Sequence, residues 1–221
     1  MFTGIIQAIG RVQAITRRGA DARLTVATGA LPLDHVTLGD SIACNGVCLT
    51  VVSLTAEAFV ADVSAETLRC TTLGRLRVGA SLNLENALTL GAPMGGHWVS
   101  GHVDGVGVLQ MRRDQGRAVA LAIEAPAPLS RYLAQKGAVT VDGVSLTVNA
   151  VAGRRFELTL VPHTLGVTTL SALRPGDRVN LEVDIIARYL ERLIMDRDQS
   201  ADDVAGLAAA GLARPGGPLR S

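Results

Sequence analysis

Large apolar residues alternate with small or polar ones along Val139-Thr140-Val141 and Val144-Ser145-Leu146-Thr147-Val148, the spacing of strands with one buried face. Asp142-Gly143 between them is a two-residue hairpin turn, and Asn45-Gly46 holds the corresponding place earlier in the chain. Similar runs predict strands around 5–15, 24–28, 58–63 and 81–85, about six short strands for each half of the chain. That number favours a small closed barrel. Helical spacing interrupts the pattern in three places. Residues 128–136 carry Leu129, Tyr132 and Leu133 on one face and stop at Gly137, with a counterpart expected at 31–38. From 185 to 197, Ile185, Ile186, Tyr189, Leu190, Leu193 and Ile194 form one apolar stripe, while Arg188, Glu191 and Arg192 lie elsewhere. The first half has no such helix, and both a subunit seam and the chain's own surface are open as its cover. Beyond Ser200 the Ala-, Gly- and Pro-rich sequence reads as a mobile tail.

The two halves are copies of one unit. At an offset of 97 residues, Asp40–Glu85 lies on Gly137–Glu182 without a gap, and seventeen of the 46 aligned positions are identical. Unrelated sequences would share roughly three at ordinary residue frequencies. A period this long is a complete small domain and not a solenoid repeat. The expected organisation is therefore a first barrel over 1–97, a second over 98–184, a helix over 185–198 and a tail over 199–221.

Composition removes several classes of function. Twenty-one basic and 20 acidic side chains leave a formal charge of +1, and the arginines are scattered, so nucleic acid is not an expected partner. The longest near-apolar stretch, 204–213, is far short of the roughly 20 residues of a bilayer span, and the first ten residues lack a signal peptide's basic region. A soluble cytoplasmic protein is the expectation. Cys44, Cys48 and Cys70 offer neither a complete disulfide set nor a Cys-x-x-Cys metal spacing.

Chemistry is unequally shared between the copies. Ile5 aligns with His102, Gln7 with Asp104, Gly39 with Lys136, Cys48 with Ser145, Glu66 with His163 and Ala87 with Asp184. Most titratable groups fall in the second copy, as expected of two bound molecules in unequal surroundings. Each candidate also has a plainer reading. Lys136, the sole lysine, is equally a solvated helix end or a position where a guanidinium would not serve. Asp184 reads first as the cap of the final helix. Ser145 lacks a nucleophile elbow and reads as a barrel hydroxyl. Cys48 has the chemistry of a nucleophile, yet no neighbour in sequence lowers its pKa. His97 and His102 suggest a metal pair, but an extended segment points residues five apart to opposite faces.

Six segments in order resemble riboflavin synthase of the alpha-chain type: Met1-Phe2-Thr3-Gly4-Ile5-Ile6, Asn45 to Thr50, Gly95-Gly96-His97, Ser100 to Asp104, Asp142 to Thr147 and Pro162-His163-Thr164-Leu165. The resemblance covers residues 1 to about 197. It implies an all-β fold of two tandem six-stranded Greek-key barrels plus a C-terminal helix that builds a homotrimer, with no cofactor and no metal. It also implies a transferase reaction, in which one 6,7-dimethyl-8-ribityllumazine gives four carbons to a second. Riboflavin and 5-amino-6-(ribitylamino)uracil result. Sites would form between the first barrel of one subunit and the second barrel of its neighbour.

Carried over by position, the first site takes Gly4, Ile5, Ile6, Cys48, Leu49, Thr50, Asp62, Val63, Ser64, Ala65, Glu66 and Thr67. The second takes Gly101, His102, Val103, Lys136, Ser145, Leu146, Thr147, Val161, Pro162, His163, Thr164, Leu165 and Gly166. Ser145 with Asp184, assisted by His102, is the expected proton shuttle, Lys136 a further catalytic group, and Cys48 a position facing the partner ring. The alternative is a non-catalytic lumazine or flavin carrier of the same fold. A carrier has no use for Lys136, Ser145, His102 and Asp184 together.

Overall fold

The computed structural model describes residues 1–196. Six strands form the first copy: β1 (Ala8–Arg18), β2 (Asp21–Ala27), β3 (Ser41–Cys44), β4 (Val47–Leu54), β5 (Ala58–Val63) and β6 (Ser81–Asn86), with helix α1 (Ala65–Cys70) between the last two. The second copy holds β7 (Gly105–Gln115), β8 (Ala118–Glu124), β9 (Ala138–Val141), β10 (Val144–Thr147), β11 (Ala150–Ala152), β12 (Arg155–Leu160), helix α2 (Pro162–Val167) and β13 (Arg178–Val183). Apart from the split pair β10 and β11, each element starts 97 residues after its counterpart, even where the sequences no longer match.

β1 pairs with both β2 and β6, which closes the first barrel in the order β1-β2-β5-β4-β3-β6. The second copy is a curled seven-stranded sheet, β10-β9-β13-β7-β8-β12-β11. Its two ends, β10 and β11, are halves of the strand equivalent to β4. In β4 the register slips between Val51 and Ser53, a bulge that the strand survives. At the same place in the second copy Val148 and Asn149 leave the ladder, and the Asn149 N–H donates to the carbonyl of Glu157.

The alternation written in the sequence is the burial pattern. In β2 every second residue, Ala22, Leu24 and Val26, is buried. Each copy centres its core on one phenylalanine, Phe59 and Phe156, at equivalent positions and without exposed surface. Two helical expectations need correction. Residues 128–136 contain only a 3-10 segment, Ala127–Tyr132, and 31–38 form turns with no helix. Pro126 and Pro128 remove two backbone donors from the former, and Pro32 one from the latter. The expected first strand also begins late, at Ala8, because residues 3–6 serve another purpose.

The two copies face each other through their hairpin turns. Asn45 and Asp142 adopt left-handed φ of 46°, each followed by a glycine. A Cβ on Gly46 would lie 2.8 Å from the Gly143 nitrogen, and one on Gly143 would lie 2.6 Å from the Gly46 nitrogen, so only glycine permits this approach. Asn83 donates to the carbonyl of Asp142 and Asn180 to that of Asn45, both at 2.9 Å. The repeated asparagines thus bridge the copies at their turns. Met1–Asp184 is one compact unit, and the helix occupying 185–196 belongs to a second. Along that helix Ile186, Tyr189, Leu190, Leu193 and Ile194 are exposed. The expected tail, 199–221, lies outside the described residues, as do the last two positions of the expected 185–198 helix.

Candidate active site

The start of each copy crosses to the other copy. The carboxylate of Glu85, on β6, accepts the Thr3 N–H at 2.7 Å, the Thr3 hydroxyl at 2.7 Å and the Gly4 N–H at 3.0 Å. The Gly4 carbonyl then accepts the N–H of Ser145 at 2.8 Å, and Ile6 packs on the core of the second copy. Ninety-seven residues on, Glu182 accepts the Ser100 N–H and hydroxyl, both at 2.6 Å, and the Gly101 N–H at 3.0 Å. The Gly101 carbonyl accepts the N–H of Cys48 at 2.9 Å, and Val103 packs on the first core. Burial raises the pKa of both glutamates, against the lowering effect of these donors.

Each crossing segment therefore reaches the copy opposite to the one whose site it was expected to join. Gly4 meets Ser145 and Ile6 packs on the core of the second copy, while Gly101 meets Cys48 and Val103 packs on the core of the first. Between Gly101 and Val103, the His102 N–H donates to the Ser100 hydroxyl at 3.1 Å. Ser145 has a different imidazole: the Nδ1 of His97 lies 2.7 Å from its hydroxyl oxygen. Burial lowers the pKa of His97, and the charge of nearby Asp184 partly opposes this. Its Nε2 is buried and has no hydrogen-bond partner among the described residues. In the sequence His97 carries no assigned chemistry beyond the metal alternative and its place in a family segment. The signal available was its place in Gly95-Gly96-His97, since Gly96 lets the chain pass where a Cβ would lie 2.0 Å from the Thr3 carbonyl oxygen and 3.0 Å from the Ser145 Cβ. Among the described residues no group of three or more His, Cys, Asp or Glu could hold a metal ion.

Along β4, Cys48 is half-buried and Thr50 exposed, whereas Leu49 turns into the core; along β10, Ser145 is half-buried and Thr147 exposed. Val63 is likewise a core side chain, so Leu49 and Val63 can present only backbone to a ligand. Ser64 caps α1 through the Thr67 N–H, placing Ala65, Glu66 and Thr67 at the helix start. Asp62 is held by Arg23 through two 2.7 Å bonds, and Glu66 by Arg69, which with the Cys70 thiol lowers its pKa to about 2. Val161, Pro162, His163, Thr164, Leu165 and Gly166 form the start of α2, which has no side-chain cap and carries Pro162 in its first turn, with Leu165 against the second core. A cavity of about 600 Å³, lined by Val36, Ser41, Ala87 and Leu88 among others, touches the expected residues only at Ile5.

Lys136 stands out by its backbone. Its φ is 67°, in the left-handed region, where the first copy has Gly39 with φ of 94°. A lysine there is strained by about 1 kcal/mol relative to glycine, and strain of this kind gathers at functional positions. Lys136→Gly is expected to raise the melting temperature while slowing turnover. Turnover unchanged in a stabilised variant would remove Lys136 from the site.

Comparison with known proteins agrees with the doubled fold. A lumazine binding domain matches residues 3–87 and again 100–184. In solved structures, LumP complexed with 6,7-dimethyl-8-(1'-D-ribityl) lumazine has the same fold, with a TM-score of 0.73 at 24% identity over 83% of this chain and 99% of that one. Two lumazine-binding domains in tandem are thus the class of protein that the fold defines. Riboflavin synthase of Photobacterium phosphoreum is 52% identical, over 88% of this chain and 89% of its own. That of Mycobacterium tuberculosis (strain ATCC 25618 / H37Rv) is 46% identical over 88% and 98%, and that of Bacillus subtilis (strain 168) is 39% identical over 88% and 90%. The chain belongs to the riboflavin synthase family.

Proposed function

We propose that this chain converts two molecules of 6,7-dimethyl-8-ribityllumazine into riboflavin and 5-amino-6-(ribitylamino)uracil. The carbon balance closes because one ring gains the four carbons that the other loses. The observation that carries the reading is the crossed pair of matched positions, Cys48 and Ser145, held alike by backbone and surrounded by unequal chemistry. Two identical substrates call for two similar pockets. A reaction in which one substrate is deprotonated and the other attacked calls for the difference between them.

The protein's main task is to fix two flat rings in reacting register, which can contribute roughly 7–11 kcal/mol. Backbone around Gly4 and Gly101 and the outward hydroxyls of Thr50 and Thr147 hold the pyrimidine edges. Positioned proton acceptors add a factor of about 10² to 10⁴. Ser145, with His97 on its hydroxyl and Asp184 near that imidazole, forms the acid–base end. Cys48 and His102 form the face presented to the partner ring. Residues 1–97 and 98–184 are the two substrate-binding halves.

The helix at 185–196 is the trimer contact, since its apolar side chains are exposed in the single chain. Three free cysteines suit the cytoplasm. Among the described residues no helix is long and apolar enough to cross a membrane. The carrier alternative rests on a fold shared at 24% identity, whereas the named synthases match at 39–52%.

Incubating the purified protein with the dimethyl lumazine alone should produce riboflavin absorbance with no added co-reactant. Tight binding without turnover would instead make the protein a carrier. Removing residues 185 onward should give monomers by sedimentation, with activity reduced at least about tenfold. Fully active monomers would contradict a site shared between subunits.

A further inference from the structure

We infer that Glu85 and Glu182 are positioning residues that act across the duplication, each holding in place the segment that completes the site on the other copy. The inference rests on the reading of Cys48 and Ser145 as marks of the two sites. Glu85 belongs to the first barrel by strand pairing, through β6 with β1 and β3. Yet the segment it grips delivers the Gly4 carbonyl to Ser145 and Ile6 to the second core. Glu182 belongs to the second copy through β13, paired with β7 and β9. The segment it grips delivers the Gly101 carbonyl to Cys48 and Val103 to the first core.

Two features make the grip specific. Each carboxylate is almost fully buried and receives three donors spread over both oxygens. A carboxamide keeps one acceptor oxygen and turns an N–H₂ toward a donor, so glutamine cannot replace glutamate here. The crossing segments also have no slack. A Cβ on Gly4 would lie 2.6 Å from the Ser145 Cβ, and one on Gly101 would lie 2.7 Å from the Cys48 Cβ. Where backbone and side chain meet this closely, the position of the gripped segment sets the position of the site residue. Each pocket is therefore built partly from the barrel that binds the other substrate.

The test uses the full-length chain, with riboflavin as the probe ligand. Cys48 reports the first-copy site through protection from iodoacetamide. Lys136, as the sole lysine, reports the second through protection from an amine-acylating reagent, both read by peptide mass spectrometry. Glu85→Gln should weaken protection of Lys136 by roughly tenfold or more and leave that of Cys48 within about threefold, because only the second-copy contact is released. Glu182→Gln should do the reverse. Thr3→Val and Ser100→Ala each remove one donor from the same carboxylates, and should show the same crossed pattern at smaller size if the glutamine variants fold poorly.

Loss confined to the variant's own barrel, or equal loss at both reporters, overturns the inference while leaving the site assignment standing. Absence of any protection in the unaltered chain overturns the site assignment and the inference with it.

Discussion

Replacing Phe2 by alanine is expected to lower kcat/KM by roughly 10²-fold or more, because a displacement of about 1 Å at a site can cost that much. Phe2 is fully buried in a small cluster with Val99 and Ala43, against Cys48 and Ala87. Its N–H donates to the Val99 carbonyl at 2.7 Å, and its own carbonyl accepts the Val99 N–H at 3.1 Å. These bonds tie the start of one crossing segment to the start of the other, immediately before Thr3-Gly4 and Ser100-Gly101. The ring also abuts Gly101, where a Cβ would lie 2.8 Å from the Phe2 Cε2. Alanine leaves a cavity worth about 3–5 kcal/mol of stability and loosens both segments together. Steady-state kinetics, with circular dichroism showing that the strands persist, provide the check. Turnover equal to that of the unaltered chain would mean that the crossing segments do not place the site.

Asp142→Asn is expected to stabilise the protein above neutral pH. Asp142 is buried between the copies, and burial raises its pKa from the ordinary 3.8 to about 7, even though the Asn180 N–H donates to it at 2.8 Å. The folded state therefore holds a proton that the unfolded chain has released. The stability this proton supplies is complete below about pH 4, falls as pH rises toward 7, and is absent above. A shift of that size corresponds to about 4 kcal/mol as an upper figure. The first copy shows that the amide fits, since Asn45 accepts the Asn83 N–H at 2.7 Å in the equivalent geometry. Denaturant unfolding of both proteins from pH 4 to 8 should give curves that meet at the acid end and diverge toward the alkaline end. Parallel curves would mean that Asp142 is already ionised without penalty in the folded protein.

The elements legible in the sequence are those built from neighbours. Asn45-Gly46 and Asp142-Gly143 mark hairpins because the turn demands left-handed residues at those places. Ala58–Val63 agrees with the strand expected around 58–63, because its burial alternates along the strand. A local pattern misleads where a distant contact redirects it. Ile5 and Ile6 read as the start of a strand, but a carboxylate 82 positions from Thr3 draws them away from the sheet. The 128–136 stripe read as a helix although Pro126 and Pro128 leave it a single 3-10 segment. His97 had no visible role because the hydroxyl it meets lies 48 residues further on.

From the chain alone come the duplication, the strands of each copy, the family resemblance and the residue types available for chemistry. All of these depend on periodicity or on aligned identity. Only the folded molecule decides which copy each crossing segment serves, which imidazole faces Ser145, and that Lys136 occupies a glycine's conformation. Those outcomes depend on buried carboxylates choosing distant donors and on backbones meeting where no Cβ intervenes. Such contacts leave no period in the sequence, because the residues that make them lie tens of positions apart and are selected by space and not by order.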